Sequence, residues 1–267
     1  MPRFKYELTI EKIEKFKAEG RGLGEYEDYK PWLTVRDFPS LGRSSREAGV
    51  KVKREYHFLS DLERYFFYIT EWDNSVVDIR EQFPIHDRSK TMEIAEILGY
   101  KHPYSNKTRV NAVITCDFLV TYKNRDGELT TVARSIKPSS ALQDKRTLEK
   151  LLIEKYYFES IGMDWGVVTE KEIDRNLAVN LQELRDYLLH PYNIDEEILH
   201  YMEQRIPLAK PNQRVVDTIT NLGKETNIID TSLLNALKIL IVTKRIQANL
   251  SVRLNFNNTW KKFLGGV

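Results

Sequence analysis

The chain has 267 residues, of which 41% are hydrophobic and 30% are charged, so it can build a packed core and is not expected to be disordered. Its formal net charge of +2 does not by itself indicate a polyanionic partner. No segment approaches the roughly 18 apolar residues that cross a bilayer, the first residues lack an apolar signal region, and the single Cys116 fits a reducing compartment, so we expect a cytoplasmic protein.

The N-terminal part of the chain alternates between irregular and regular segments. Residues 5–18 carry apolar side chains at helical spacing and predict a short helix, whereas residues 19–49 are rich in Gly and Pro and predict an irregular connection. Ser60 precedes Glu63 by three positions, which is the capping-box pattern at a helix start. Residues 75–83 then predict a strand.

A β-hairpin is the clearest local signal. Residues 111–122 and 128–137 are rich in β-branched and aromatic side chains, and the turn at 124–127 contains the Asp-Gly pair that favours tight hairpins. A helix over residues 142–160 and a short apolar strand over residues 165–169 follow.

The element order changes near residue 170. Residues 1–170 predict an α/β domain built on a mixed sheet, and residues 171–267 predict a mainly helical domain. Three short helices followed by a possible hairpin, formed by two strand-like runs around residues 245–256, suggest a winged-helix-like module. Four helices in all are expected, at residues 177–189, 196–205, 213–223 and 231–243.

Basic residues are concentrated in two segments. The first contains Arg43, Lys51, Lys53 and Arg54, and the second, residues 231–267, contains no Asp or Glu. Local basic patches favour a polyanion even in a chain that is nearly neutral. For each single residue, a solvated surface charge is an equally good interpretation, but we predict that the first segment contacts a nucleic-acid backbone.

Two charged residues of the predicted hairpin converge across the sheet. A two-residue turn would place Asp117 opposite either Arg134 or Ile136, so within one residue Asp117 faces Ser135 and Lys137. An acid and a lysine therefore meet on one side of an otherwise apolar sheet.

An ion pair on a solvated sheet surface, worth about 0–1 kcal/mol, is the ordinary interpretation of such a pair. Two features favour chemistry instead. Lys137 lies at a strand end because Pro138 follows it, and Glu63 on the upstream helix can supply a second carboxylate. Two carboxylates and a lysine suit phosphodiester hydrolysis assisted by Mg²⁺, which prefers oxygen ligands, with the lysine orienting water or stabilising the phosphate.

A family pattern covers most of the first 170 residues. It consists, in chain order, of GRGLGEYEDYKPWLTVRDFPSLGRS (20–44), HFLSDLERYFFYITEWDNSVVDIREQFPI (57–85), TCDFLV (115–120) and IKPSSALQDKRTLEKL (136–151). These segments resemble the TnsA family, the endonuclease subunits of Tn-seven-like transposases. The resemblance implies a restriction-endonuclease-like catalytic domain of the PD-(D/E)xK type, and the last hundred residues share with the family only their size and layout.

The resemblance also implies roles for individual residues. It makes Glu63, Asp117 and Lys137 catalytic, with Glu63, Asp117 and the backbone carbonyl of Ile136 as ligands of Mg²⁺, for which Mn²⁺ substitutes. One position departs from the family, because Ser135 stands where a Glu or Gln is usual.

A serine hydroxyl is a poor Mg²⁺ ligand, so the departure leaves two possibilities for the second metal position. Water, or an acid of the following helix such as Glu149 or Glu154, can replace the missing ligand. We prefer to interpret these two acids as parts of an exposed helix face with pairs to nearby lysines.

By resemblance, the chain hydrolyses double-stranded DNA at the 5′ ends of a transposon. The implied partners are a TnsB-like DDE transposase, which acts on the 3′ ends, and a TnsC-like AAA+ ATPase. No membrane partner is expected. Two alternatives stay open: a stand-alone restriction or repair-type nuclease with its own base-reading surface, and a catalytically degenerate DNA-binding adaptor, which Ser135 would explain.

Overall fold

The computed structural model describes residues 8–37, 44–190 and 194–265. The chain divides into two compact units, Met1–Ile173 and Asp174–Val267. The first unit has a mixed α/β fold, and the second is helical in its described part. None of the described helices combines the length and the apolar character that a membrane crossing requires.

Two sheets form in the first unit. The smaller one pairs two antiparallel strands, and the larger one has four strands in the order β3-β4-β5-β6, with β6 parallel to β5 and the other neighbours antiparallel. The expected mixed sheet is therefore confirmed. The strands are β1 (Ser45–Ala48), β2 (Glu55–Phe58), β3 (Val76–Pro84), β4 (Thr115–Lys123), β5 (Leu129–Ile136) and β6 (Trp165–Val168).

Within the described part of this unit, four α-helices accompany these sheets: α1 (Ile10–Ala18), α2 (Asp61–Trp72), α3 (Arg88–Ile97) and α4 (Lys145–Ser160). The capping-box prediction for α2 is confirmed, because the Ser60 hydroxyl accepts a hydrogen bond from the Glu63 backbone N–H at 3.2 Å. Helix α3 and strand β1 are elements that the sequence patterns did not indicate. Strand β1 corrects the expectation of an irregular connection up to residue 49.

The hairpin register is set by the turn between β4 and β5. The Asn124 N–H donates to the Glu128 carbonyl at 3.0 Å, and Gly127 adopts a left-handed φ of 87°. The loop therefore spans three residues instead of two, and the register lies midway between the two expected alternatives. Since Phe118 pairs with Arg134, the next position along the ladder sets Asp117 opposite Ser135.

Apolar side chains cover both faces of the four-stranded sheet. On one face Leu119 and Ala133 belong to a buried cluster with Ile153 and Phe158 of α4. On the other face the Phe118 ring lies 5.0 Å from the Phe66 ring of α2. Helices α2 and α4 are thus fixed to the sheet by packing, which holds their polar side chains at defined positions.

The second unit is assembled around one apolar helix. Helix α9 packs against the four preceding helices and buries Leu233, Leu237 and Leu240 completely. Its apolar run is therefore the core of this unit. The helices are α5 (Arg175–Leu184), α6 (Asp186–Leu189), α7 (Glu196–Arg205), α8 (Val215–Thr226), α9 (Asp230–Val242) and α10 (Trp260–Phe263).

The expected strand pair around residues 245–256 is wrong, and the winged-helix interpretation is not confirmed. These residues form turns and irregular chain. The buried Asn180 of α5 supplies the hydrogen bonds that a partner strand would have supplied. Its amide donates to the carbonyls of Leu250 and Val252 at 2.8 and 2.7 Å, and its oxygen accepts from the Leu254 N–H at 3.1 Å.

Candidate active site

Polar side chains occupy matching positions on three neighbouring strands of the large sheet. The pairs Glu81–Phe118 and Phe83–Cys116 flank Gln82 of β3 and set it opposite Asp117 of β4. Ser135 of β5 lies opposite Asp117 on the other side. Gln82, Asp117 and Ser135 are all buried, so an unusual polar strip crosses the interior of the sheet.

Asp117 and Lys137 form the central contact of this strip. The Lys137 Nζ lies 2.5 Å from Asp117 Oδ2, and the same oxygen accepts a hydrogen bond from the Ile136 N–H at 2.7 Å. Burial alone lowers the pKa of Lys137, but the Asp117 carboxylate outweighs burial and raises it. The structure therefore brings together the acid and the lysine indicated by the sequence, with a charged lysine at the end of β5.

Glu63 reaches the same place from the first turn of α2. Three donors hold its carboxylate: Oε1 accepts from the Ser60 hydroxyl at 2.8 Å, and Oε2 accepts from the Leu59 N–H at 3.0 Å and from Gln82 Nε2 at 3.1 Å. Burial and the negative charge of Asp117 raise the pKa of Glu63 to about 7. Glu63 and Asp117 thus repel each other, and the positive charge of Lys137 offsets only part of that repulsion.

Glu154 of α4 is a further acid of the site, and its interpretation as part of an exposed helix face is wrong. Its side chain is buried, and Oε1 accepts hydrogen bonds from the Ser135 hydroxyl and, at 2.9 Å, from Trp165 Nε1. Burial raises the pKa of Glu154, with a smaller contribution from Asp117. Glu149, in contrast, forms an ion pair on α4, but its partner at 2.8 Å is Arg146 and not a lysine, and its side chain is 18% exposed.

Of the two site residues that the sequence analysis did not assign, Glu154 has a recognisable sequence signal and Gln82 has none. Glu154 shares the buried face of α4 with Leu151 and Phe158, three positions before and four after it. Gln82 lies near the end of the β3 pattern, where a large amide between Glu81 and Phe83 carries no distinctive signal. Its proximity to Glu63 emerges only from the fold.

The donor set suits a hydrated Mg²⁺ ion. Glu63 and Asp117 provide hard carboxylate oxygens that repel each other, and a divalent cation would neutralise that repulsion. Within the described residues, no three His, Cys, Asp or Glu side chains are arranged to hold a metal alone. A backbone oxygen, such as the Ile136 carbonyl, and water could complete the ligands of an ion held by these two carboxylates.

The residues of the basic segment that was predicted to contact a nucleic-acid backbone differ in their burial and in their contacts. The Arg54 guanidinium is buried and donates to both carboxylate oxygens of Glu81 at 3.0 and 2.5 Å. The Lys51 ammonium donates to the carbonyls of Asp73 and, at 2.7 Å, Val76. Lys53 is exposed. Arg43 lies outside the described residues.

Comparisons with known proteins identify relatives of this chain. Residues 73–170 match the family model described as "TnsA-like endonuclease N terminal", a segment that contains Asp117, Ser135 and Lys137 but begins after Glu63. Over 211 residues the chain is 43% identical to the transposon Tn7 transposition protein TnsA of Escherichia coli. That alignment covers 79% of this chain and 74% of the relative.

Proposed function

Because the chain belongs to the TnsA family of transposase endonuclease subunits, we propose that it is a metal-dependent DNA endonuclease that hydrolyses the 5′ ends of a Tn-seven-like transposon. The observation that carries this proposal is the 2.5 Å contact between Asp117 and Lys137, with Glu63 close enough for the charge of Asp117 to act on it. Glu63 projects from a packed helix, Asp117 projects from a packed strand, and Lys137 follows the last residue of a packed strand, as a site that positions a phosphodiester requires.

Mg²⁺ is the cofactor we propose, with Mn²⁺ as a substitute. Glu63, Asp117 and the Ile136 carbonyl would hold it, and when bound it activates the attacking water and stabilises the leaving oxygen. In Glu63, Oε2 already accepts two hydrogen bonds, whereas Oε1 accepts one. Because each carboxylate oxygen has about two acceptor positions, Oε1 is the atom with capacity left for a cation.

Lys137 would act on the phosphate. Its ammonium is held by Asp117 at the strand end, where it can donate hydrogen bonds to a non-bridging phosphate oxygen or orient the attacking water. Preorganised charge of this kind costs no rearrangement when negative charge develops in the transition state.

The hydrogen-bonded pair of Ser135 and Glu154 would replace the Glu or Gln that is usual at position 135. The hydroxyl itself is a poor metal ligand, but the pair places a carboxylate from α4 beside Asp117. We therefore favour an active nuclease over a degenerate DNA-binding adaptor, since the departure at Ser135 is accompanied by an additional acid.

The substrate we propose is double-stranded DNA at the transposon ends, with a TnsB-like DDE transposase and a TnsC-like AAA+ ATPase as partners. Among the basic residues first considered for backbone contacts, Lys53 is the described one whose ammonium remains available. The recognition of end sequences is assigned to the partner transposase, so the isolated chain should cut poorly and with little sequence preference.

The test is nicking of a transposon-end duplex by this chain together with its cognate transposase, in Mg²⁺ and in EDTA. We expect cuts at the 5′ ends with the wild type in Mg²⁺, and none with Asp117→Asn or in EDTA. Asp126→Asn, an exposed carboxylate of the hairpin turn, is the matched control and should cut normally. If the 3′ ends are joined while the wild type makes no 5′ cuts, the nuclease proposal fails and the adaptor interpretation replaces it.

A further inference from the structure

Gln82 combines two unusual properties in the middle of the candidate site. It is 2% exposed, and its φ of 48° lies in the left-handed region although its neighbours continue the β3 ladder. A residue other than glycine rarely adopts this backbone conformation, and such strain persists only where surrounding contacts impose it. We therefore expect the contacts of Gln82 to explain why its backbone is held in this conformation.

Both the backbone and the side chain of Gln82 are held by contacts. Its carbonyl accepts a hydrogen bond from the Trp32 N–H at 3.2 Å, which ties β3 to an upstream segment of the same unit. Its amide Nε2 donates to Glu63 Oε2 at 3.1 Å. The second contact joins β3 to α2 and reaches the carboxylate that is proposed to hold the metal.

The hydrogen bond from Gln82 restricts which part of Glu63 faces a cation. Oε2 accepts from the Leu59 N–H as well as from Gln82, so its acceptor positions are filled, and Oε1 keeps one free. Without the amide, Oε2 would regain capacity and the carboxylate could rotate away from its present orientation. The Gln82 amide thus leaves Oε1 of Glu63 as the oxygen that can face a cation and fixes the orientation of the carboxylate, as hydrogen-bond partners of metal ligands commonly do.

We infer that Gln82 is a positioning residue that orients the Glu63 carboxylate for the divalent cation, an inference that rests on the proposed metal-dependent function. Gln82 does not need to touch DNA or metal to do so. The register sets Gln82 opposite Asp117, so the same residue neighbours both carboxylates that would share the ion.

The test is calorimetric titration of the purified full chain with Mn²⁺, together with nicking at increasing Mn²⁺ concentrations in the presence of the cognate transposase. Gln82→Met keeps an unbranched side chain of similar length but lacks the donor. Gln82→Gly removes the side chain and also relieves the left-handed strain. Arg109→Gly is the backbone control, because Arg109 has a φ of 60° at an exposed position outside the site.

We expect both Gln82 variants to remain folded and to bind Mn²⁺ about tenfold more weakly or worse, since partners of metal ligands typically contribute that much. Nicking should recover when Mn²⁺ is raised to saturation, a rescue that a general packing defect would not show. Arg109→Gly should bind and cut as the wild type does.

Unchanged Mn²⁺ affinity in Gln82→Met and Gln82→Gly would overturn the inference, and so would loss of the folded state in both. Asp117→Ala separates this failure from failure of the proposed function. If the wild type binds Mn²⁺ no better than Asp117→Ala, the metal site itself is wrong. If Asp117→Ala loses binding while the Gln82 variants keep it, only the role of Gln82 is rejected.

Discussion

The two units of the chain differ in how deeply their carboxylates are buried. Among residues 8–37 and 44–173 of the first unit, six acidic side chains are buried, whereas every Asp and Glu among residues 174–190 and 194–265 is at least partly exposed. The buried six are Glu63, Glu71, Asp78, Glu81, Asp117 and Glu154. Because a buried charge costs free energy unless it is paired, each of these acids requires a counter-charge, hydrogen bonds or a function.

In the first unit one buried acid is paired with a counter-charge, whereas three others belong to the candidate site. Glu81 is matched one-to-one by Arg54, with side chains that are 0% and 6% exposed. The charge of Asp117 acts on both Glu63 and Glu154, and among the described residues Lys137 is the cation on which all three acids act. The difference separates a structural ion pair from a site with uncompensated negative charge, which is the property expected of a cation-binding centre.

The largest effect should come from breaking the structural pair. Arg54→Ala leaves the Glu81 carboxylate buried without its partner, so we expect the free energy of unfolding to fall by about 3–5 kcal/mol in denaturant titrations. Arg205→Ala in the second unit is the control, since Arg205 pairs with Glu225 at 2.6 Å but the side chains are 41% and 51% exposed. It should cost at most about 1 kcal/mol. Equal losses of unfolding free energy in Arg54→Ala and Arg205→Ala would contradict the distinction between a buried ion pair in the first unit and an exposed one in the second.

Lys137→Ala should leave the fold and Mn²⁺ binding intact while lowering the rate of nicking. Removal of a preorganised charge from a phosphate site typically costs about 10²–10³-fold in rate, which sets the expected loss. Lys123→Ala, an exposed lysine of β4, should cut at the wild-type rate. Nicking by Lys137→Ala at more than a tenth of that rate would remove Lys137 from the catalytic group.

The variant Glu63→Gln, compared with the wild type in EDTA at a series of pH values, tests whether the negative charge of Glu63 destabilises the folded protein. Because burial and Asp117 raise the pKa of Glu63 from 4.5 to about 7, the folded wild type loses stability as the pH rises through that interval. The uncharged variant avoids this loss. Its free energy of unfolding relative to the wild type should therefore rise between about pH 4.5 and 7 and level off, with a total gain of about 3 kcal/mol.

Denaturant unfolding at pH 5, 6, 7 and 8 measures this difference. Glu96→Gln, an exposed acid of α3, should show no comparable rise and serves as the control. If the difference in unfolding free energy between Glu63→Gln and the wild type stays constant with pH, the folded protein does not raise the pKa of Glu63.

In the second unit, Asn180→Leu should cost about 1–3 kcal/mol of unfolding free energy, because it leaves the buried carbonyl of Leu250 and its neighbours without donors. Asn176→Ala removes one exposed hydrogen bond to the same segment, at the Ser251 carbonyl, and should change stability little. If both variants are equally stable, side-chain hydrogen bonds are not what keeps residues 245–256 from pairing as strands.

The smallest effect concerns DNA. Lys53→Ala should weaken binding of the assembled complex to all duplexes alike and reduce the slope of log affinity against log salt by about one. Unchanged salt dependence would mean that Lys53 contacts no phosphate.

The sequence was sufficient to predict the elements whose causes are local. The Ser60 cap of α2, the hairpin and the meeting of Asp117 with Lys137 follow from turn chemistry, side-chain alternation and strand ends. The exact register did not follow, because Asp-Gly turns support loops of different length. Gly127 in a three-residue loop moved the partner of Asp117 by one position.

Features that depend on tertiary contacts could not be predicted in the same way. The strand-like residues near 245–256 do not pair because a single side chain from α5, Asn180, satisfies their backbone groups from about 70 positions away in sequence. Arg54 looked like a surface cation until the fold supplied Glu81. The left-handed Gln82 is likewise imposed by its contacts with Trp32 and Glu63.

The most direct test of the account is a crystal structure of the chain soaked with Mn²⁺, with anomalous diffraction to locate the ion. The account predicts an anomalous peak in contact with Asp117 and with Oε1 of Glu63, next to Lys137, that is absent from Asp117→Ala crystals. If Mn²⁺ at a concentration that supports nicking gives no peak at these two carboxylates, Glu63 and Asp117 do not form a metal centre and the central claim is contradicted.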